Sequence, residues 1–412
     1  MGLSPTPIHA ASTDEAAPTA PGARIQALDV VRGVAVLGIL LVNIHYFWGL
    51  PLEQVLAGEP VAHRGRLDAL IEVATGTLIS GTFLGLFSLL FGVGVAMQLS
   101  RPRRGRFGST RMVAAQRMFW LGLIGLGHTQ LVGTDVLLIY GVVGLLIVLL
   151  AGPTLPPARG WVNALGAAGV AIFLGGLVVA NGIDPALMEA IFNEPRPQAA
   201  QEILEDGSYP AHQQIRAMEA FAYHGRYFFL TIIGWNLVGL WLGCSGLLQR
   251  LKGPAKPLLV AGTGCLIVGL ALRLGMGLVG SEAGPLAGID GVGGAMSHLG
   301  SIALVLAAGA LSAGVAIWSD RRGRPLTVLA RVGRMALTAY LLQTFLVIGL
   351  FLLPGHGEWL DARTALVAVA AIWVILIAFA YWWMGRFRFG PMEWAWRSLT
   401  YLRLQPFRRK SS

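Results

Sequence analysis

Ten separate stretches of this 412-residue chain are apolar for long enough to cross a lipid bilayer. A helix needs about 20 such residues to span the hydrocarbon core. The stretches are roughly 28–50, 74–99, 112–132, 135–152, 161–181, 226–248, 257–279, 293–318, 333–353 and 364–384. Membrane strands are about 10 residues long and alternate apolar with polar. These runs are longer and do not alternate, so all are predicted helices. The chain is 55% hydrophobic and only 13% charged, against about 25% charged in soluble domains. An ordinary soluble enzyme is thereby excluded. The expected fold class is all-α: a polytopic integral membrane bundle of about ten transmembrane helices.

The location of the charges sets the orientation. With a cytoplasmic N-terminus, the inner segments hold 24 of the 31 Lys and Arg and 5 of the 21 Asp and Glu. The inner face then carries +19 and the outer face −9, which together give the net +10. This is the positive-inside bias, and it predicts that both termini are cytoplasmic. The +10 therefore need not mark a nucleic-acid partner, and none is expected. Residues 1–22 are rich in Ala, Pro, Ser and Thr and read as a disordered cytoplasmic tail. Residues 23–385 form the transmembrane domain, with a long acidic extracytoplasmic loop over 182–225. Residues 386–412 mix Trp394, Trp396, Tyr401 and Phe407 with basic side chains. That suits an interfacial tail on an anionic inner leaflet, with membrane lipids as partners. The two cysteines, Cys244 and Cys265, lie inside apolar runs and exclude a disulfide framework. The 55 glycines suit closely packed membrane helices.

Ionisable groups in or beside spans are costly, so each one is a candidate for function. Asp29 and Arg32 open the first stretch at a spacing of three, which puts them on one helix face. Asn43 follows Arg32 by eleven residues, close to three whole turns, and extends that face about 16 Å outward. The stripe reads either as a path or phosphate site, or as an ion pair anchoring the helix. His45 shares it only if the helix ends or unwinds there. His128 and Asp135 flank the turn between two consecutive stretches. Such a pair can act as a general base, since the carboxylate fixes the imidazole tautomer; equally, it can tie the hairpin tip. Arg117, Arg331 and Arg334 stand at inner helix starts, suited to phosphate contacts or to topological anchoring. Tyr340, Gln343 and Thr344 make one stretch polar on one side, as interhelical hydrogen bonding requires. Trp235, Asn236 and Trp241 read the same way. Seven of the eight histidines (all but His9) fall on the outer side, but none has the spacing of a metal site, and no metal is expected.

These residues resemble a known family. Arg24-Ile25, Leu28-Asp29, Arg32-Gly33 and Gly38 to Asn43 resemble the opening of YeiB-like bacterial membrane proteins. Phe87 to Gly92, then Gly127-His128, Asp135 and Tyr140, resemble its next signatures. Gly333 to Gln343 and Gly390 to Arg397 resemble its C-terminal half, which is catalogued as a domain of unknown function (DUF418). The resemblance implies a multi-pass protein of the bacterial cytoplasmic (inner) membrane. The L-D-x-x-R-G opening is also similar to that of transmembrane acyltransferases, which carry an acyl group from cytoplasmic acyl-CoA to a sugar on the far side. There Arg32 matches the motif's Arg. The position of a catalytic His in the O-acyltransferases is Asn43 here, and the equivalent further along is Gln54, so that residue is not matched.

The expected function is therefore a membrane-embedded acyltransferase. Acyl-CoA is its donor substrate, and a glycan or other small molecule its acceptor. In this reading His128 and Asp135 form the base, with His45 as a substitute, and Asn43 polarises the thioester. Asp29, Arg32, Arg117, Arg331 and Arg334 hold the donor. The alternative is a transporter or lipid-handling protein for a small solute; against it stands the lack of a clear internal repeat. A homo-oligomer is left open.

Overall fold

The computed structural model describes residues 26–47, 65–79, 81–100, 104–105, 108–132, 135–150, 163–164, 166–172, 175, 229–279, 292–352 and 362–408. Both the N-terminal tail and the acidic 182–225 loop lie outside these residues. Among them, each of the ten apolar stretches carries helix. In lipid no water can satisfy the peptide groups, so a spanning segment must bond them internally.

The helices are α1 (Gln26–Phe47), α2 (Arg66–Leu78), α3 (Thr82–Leu99), α4 (Thr110–Val132) and α5 (Val136–Leu150). A sixth, α6, runs over Phe229–Cys244. Then come α7 (Lys256–Val279), α8 (Val292–Arg321), α9 (Thr327–Arg334), α10 (Ala336–Val347), α11 (Ala362–Arg386) and α12 (Pro391–Thr400). A two-residue antiparallel ladder, Arg104–Gly105 with Gly108–Ser109, precedes α4. Among the described residues, five segments are long and apolar enough to cross a membrane, and a sixth counts if α9 and α10 are one bent span.

Two of the expected stretches are interrupted. The 74–99 stretch turns at Gly81, whose φ of 74° lies in the left-handed region that glycine adopts without steric cost. The 333–353 stretch breaks at Met335, where α9 and α10 meet at 83°. Beyond α10 the chain makes a π-helical turn over Ile348–Leu352.

α1 is the hub. It packs on α3, α8, α9, α10 and α11, and 72% of its apolar window is inside the bundle, against 17% for α7. Hence α1 needs small residues where partners cross, while α7 can present Val260, Ile267, Val268 and Leu274 outward. Such a belt would promote aggregation in water but is the natural surface toward lipid. At the α1–α9 crossing a side chain on Gly33 would overlap the Leu329 carbonyl, and one on Gly333 the Asp29 carbonyl. The two backbones touch there because both positions lack a Cβ. α4 packs closely along α5, as α7 does along α8. The largest buried cluster joins Val36, Leu40 and Ile44 of α1 to Tyr140 of α5, Tyr340 and Leu341 of α10, and Ile372 and Leu376 of α11.

Candidate functional site

α10 carries Tyr340, Gln343 and Thr344 on one face, because residues three and four apart are neighbours on a helix. Each is buried, and each reaches a different element. The Gln343 amide donates to the Val36 carbonyl of α1 at 2.8 Å. The Tyr340 hydroxyl donates to Asp135 Oδ1, just ahead of α5, at 2.7 Å. The Thr344 hydroxyl meets Nε2 of His128, on α4, at 2.9 Å. The polar face expected to hydrogen-bond between helices does so, and it also completes a site.

His128 and Asp135 come together as their spacing suggested. Nδ1 of His128 lies 3.2 Å from Asp135 Oδ2, with side-chain exposures of 3% and 0%. The contact has the distance of an ion pair but not the alignment of a hydrogen bond. The other carboxylate oxygen also accepts the Leu137 N–H at 3.2 Å. Asp135 is thus held by a phenol and a backbone amide, and it faces one nitrogen of the ring. The second ring nitrogen faces a hydroxyl. This serine-hydrolase-like order, carboxylate to imidazole to hydroxyl, is the arrangement that activates a nucleophile. Tyr140, five residues after Asp135, hydrogen-bonds Ser88 of α3 at 2.8 Å and stacks on Phe91, with centroids 4.8 Å apart.

A second polar cluster lies at the start of α10. Its first-turn N–H groups have no partner within the helix, and Met335, the residue before it, offers no capping side chain. Glu393 of α12 supplies the acceptor instead. Its Oε1 accepts the Leu337 N–H at 2.7 Å and the Thr338 N–H at 3.2 Å. Oε2 accepts the Thr338 hydroxyl at 2.6 Å, which in turn accepts the Met392 N–H at 3.0 Å. Gly390 is the residue that leaves room for this knot, since a Cβ there would meet Glu393, Met335 and Thr338. α12 lies outside the candidate spans. Burial pushes the Glu393 carboxyl above its ordinary range, and the hydrogen bonds from Thr338 and Leu337 pull it back only in part.

The predicted donor-binding residues divide. Arg32 pairs with Asp29 at 3.4 Å, and both flank the α1–α9 crossing, as does Arg334 next to Gly333. Arg117 lies over the Trp396 ring, 4.1 Å from its centroid, and its carbonyl accepts the indole N–H at 2.8 Å. Arg331 covers Tyr381 at 4.3 Å and donates to the Tyr381 carbonyl at 3.0 Å. Arg117 and Arg331 thus also secure α12 and α11. The Arg117-to-His128 stretch of α4 is three turns, roughly 16 Å, and places both on one face. Asn43 is half-buried near the far end of α1; the helix neither ends nor unwinds there but runs on to Phe47, so position 45 falls on the opposite side of the helix from Asn43 and does not share its stripe.

Other polar anchors gave no sign in the sequence. Asp68 of α2 makes a two-pronged ion pair with Arg363 of α11, at 3.0 and 3.1 Å. Arg273 of α7 donates to the Gly76 carbonyl at 3.2 Å and to Ser301 of α8. Their partners are far away in the sequence, so no spacing announces them. Among the described residues, no group of three His, Cys, Asp or Glu side chains is placed to hold a metal.

These features define a helical membrane protein in which one cluster of buried polar residues meets on a short helix that follows a sharp bend. The chain belongs to the YeiB-like DUF418 family. The family model "Protein of unknown function (DUF418)" matches residues 242–403. Uncharacterized protein YeiB of Escherichia coli (strain K12) is 31% identical over 93% of this chain and 98% of its own length. Uncharacterized protein YxaH of Bacillus subtilis (strain 168) is 25% identical over 96% and 98%. An uncharacterized 39.9 kDa protein in the amylase 3' region of Bacillus acidopullulyticus is 27% identical over 94% and 97%. No solved structure matches the chain.

Proposed function

We propose that this protein is a membrane-embedded acyltransferase of the bacterial cytoplasmic membrane. In this reading ten helices cross the bilayer with both termini cytoplasmic. Acyl-CoA enters from the cytoplasm, and the acceptor, a glycan or another small hydroxyl or amine compound, lies outside. The observation that supports it most is the Asp135–His128 pair, 3.2 Å apart and withdrawn from solvent. A carboxylate beside Nδ1 favours the tautomer with its proton there, which leaves the Nε2 lone pair aimed away from the carboxylate, as a general base needs. Arg32 and Arg334 supply positive charge for the CoA phosphates, with Arg117 and Arg331 beside them. Asn43 serves the thioester end. Taking an ionisable pair out of water costs several kcal/mol per ion, and replacing such a pair by packed apolar side chains is often neutral or stabilising. That outlay on the bundle's own stability is better explained by chemistry than by tying a hairpin together.

Transport is the second reading, because a broken helix near a polar cluster is what solute carriers use to bind ions. Here, however, the N-terminus of α10 already holds the Glu393 carboxylate, so it is not open to an anionic solute.

The test is purified protein in lipid nanodiscs with labelled acetyl-CoA. The expected result is release of CoA thiol, lost in His128→Ala and reduced about 10²-fold or more in Asp135→Asn. Failure to bind or consume any acyl-CoA would overturn the proposal. Solute uptake into proteoliposomes without CoA release would favour transport.

A further inference from the structure

The hydroxyl already on the base is the protein's own. Nε2 of His128 faces Thr344 Oγ1 at 2.9 Å, and Nδ1 faces Asp135. A threonine inside a helix usually turns its hydroxyl back to a carbonyl one turn earlier. Thr75, Thr129 and Thr400 of this chain do so. Thr344 instead points across the α4–α10 interface to the imidazole, and it is 2% exposed. Tyr340 fixes the carboxylate from one turn earlier on the same helix, so carboxylate, imidazole and hydroxyl all depend on the placement of α10.

We infer that Thr344 is a nucleophile that carries the acyl group between donor and acceptor, so that transfer proceeds in two steps. This rests on the acyltransferase reading above. In the first step Thr344 Oγ attacks the thioester carbonyl while His128 Nε2 takes its proton. The C–S bond breaks, and the CoA thiolate leaves with that proton, giving an ester on Thr344 and free CoA thiol. In the second step the acceptor hydroxyl or amine loses its proton to Nε2 and attacks the Thr344 ester. The C–Oγ bond breaks and the proton returns to Thr344. No oxidant or further co-reactant is needed. Two half-reactions suit a donor and an acceptor that arrive from opposite faces, because the two need never meet.

The experiment maps acylated peptides after acid quench, using two probes: acetyl-CoA, and p-nitrophenyl acetate as a small activated ester independent of CoA. The wild type, Thr344→Val and Thr344→Ser are compared, with thermal unfolding confirming that each variant is folded. The expected result is an acetyl group on the Thr344 peptide from both probes. It is absent in Thr344→Val, retained on Ser in Thr344→Ser, and formed at least 10²-fold more slowly in His128→Ala. CoA release that persists in Thr344→Val with no adduct would overturn the relay and leave acyl transfer standing. Labelling of Thr344 by the ester probe alone, without acetyl-CoA consumption, would keep the activated threonine and overturn the donor. Labelling by neither probe would overturn the inference.

Discussion

Glu393 sits on α12, yet its carboxylate serves the first turn of α10. Truncation to Ala leaves two backbone N–H groups and a hydroxyl without their acceptor. Each buried unsatisfied group costs about 1–3 kcal/mol, so Glu393→Ala should lower the thermal midpoint at every pH. Glu393→Gln keeps an acceptor oxygen and removes the charge. Because burial holds this carboxyl above its ordinary range, the folded chain binds the proton more tightly than the unfolded chain. Its contribution is full below the ordinary carboxylate value and is lost as pH rises through the folded value. The Gln variant should therefore match or exceed the wild type at neutral pH, with the difference closing on acidification. A Gln variant that loses ground at neutral pH and recovers none at low pH would contradict this. The same residue marks a limit of sequence reading. A lone Glu in an aromatic, basic tail gives no hint that it caps a helix more than fifty residues earlier. His128 and Asp135 were legible because only a hairpin turn separates them, whereas Thr344 reaches His128 across 216 residues.

At the scale of the elements, α1 and α9 cross at Gly33 and Gly333, and α10 departs from α9 at 83°. Forcing a Cβ into a backbone contact costs about 1–3 kcal/mol. Gly333→Ala should therefore destabilise the bundle. Gly264→Ala in α7, where nothing lies within 4 Å, should be neutral, or stabilising by about 0.5–1 kcal/mol from helix propensity. Thermal unfolding in one detergent compares them directly, and equal midpoints would contradict the close crossing. Helix positions were readable from apolar runs, since each expected stretch carries helix among the described residues. The bend at Met335 was not, because no proline marks it. It is stabilised from outside by Glu393 and by the glycine contact with α1. Arg117 and Arg331 illustrate the same limit: their positions suggest helix starts, but the fold puts Arg117 two turns into α4 and Arg331, with Arg334, in the last turn of α9, and seats the first two on Trp396 and Tyr381.

For the molecule as a whole, the partition of charge is the strongest statement about orientation, and it needs no structure. A single cysteine added at either terminus, in a chain lacking Cys244 and Cys265, should resist an impermeant maleimide in intact cells. One placed within 182–225 should react, and reversed labelling would refute the orientation. The two polar clusters then fall in sequence along α10. Glu393 and Thr338 mark its start; Tyr340, which holds Asp135, lies roughly 3 Å further along its axis, and Thr344, which meets His128, roughly 9 Å. The central claim is that a donor on the cytoplasmic face reaches a buried Asp135–His128 base. It is tested most directly in sealed vesicles of known orientation, with acetyl-CoA supplied to one face at a time and CoA thiol measured. The account predicts release only when acetyl-CoA is on the face bearing the termini, and none with His128→Ala. Release from the opposite face, or undiminished release by the His128 variant, would contradict it.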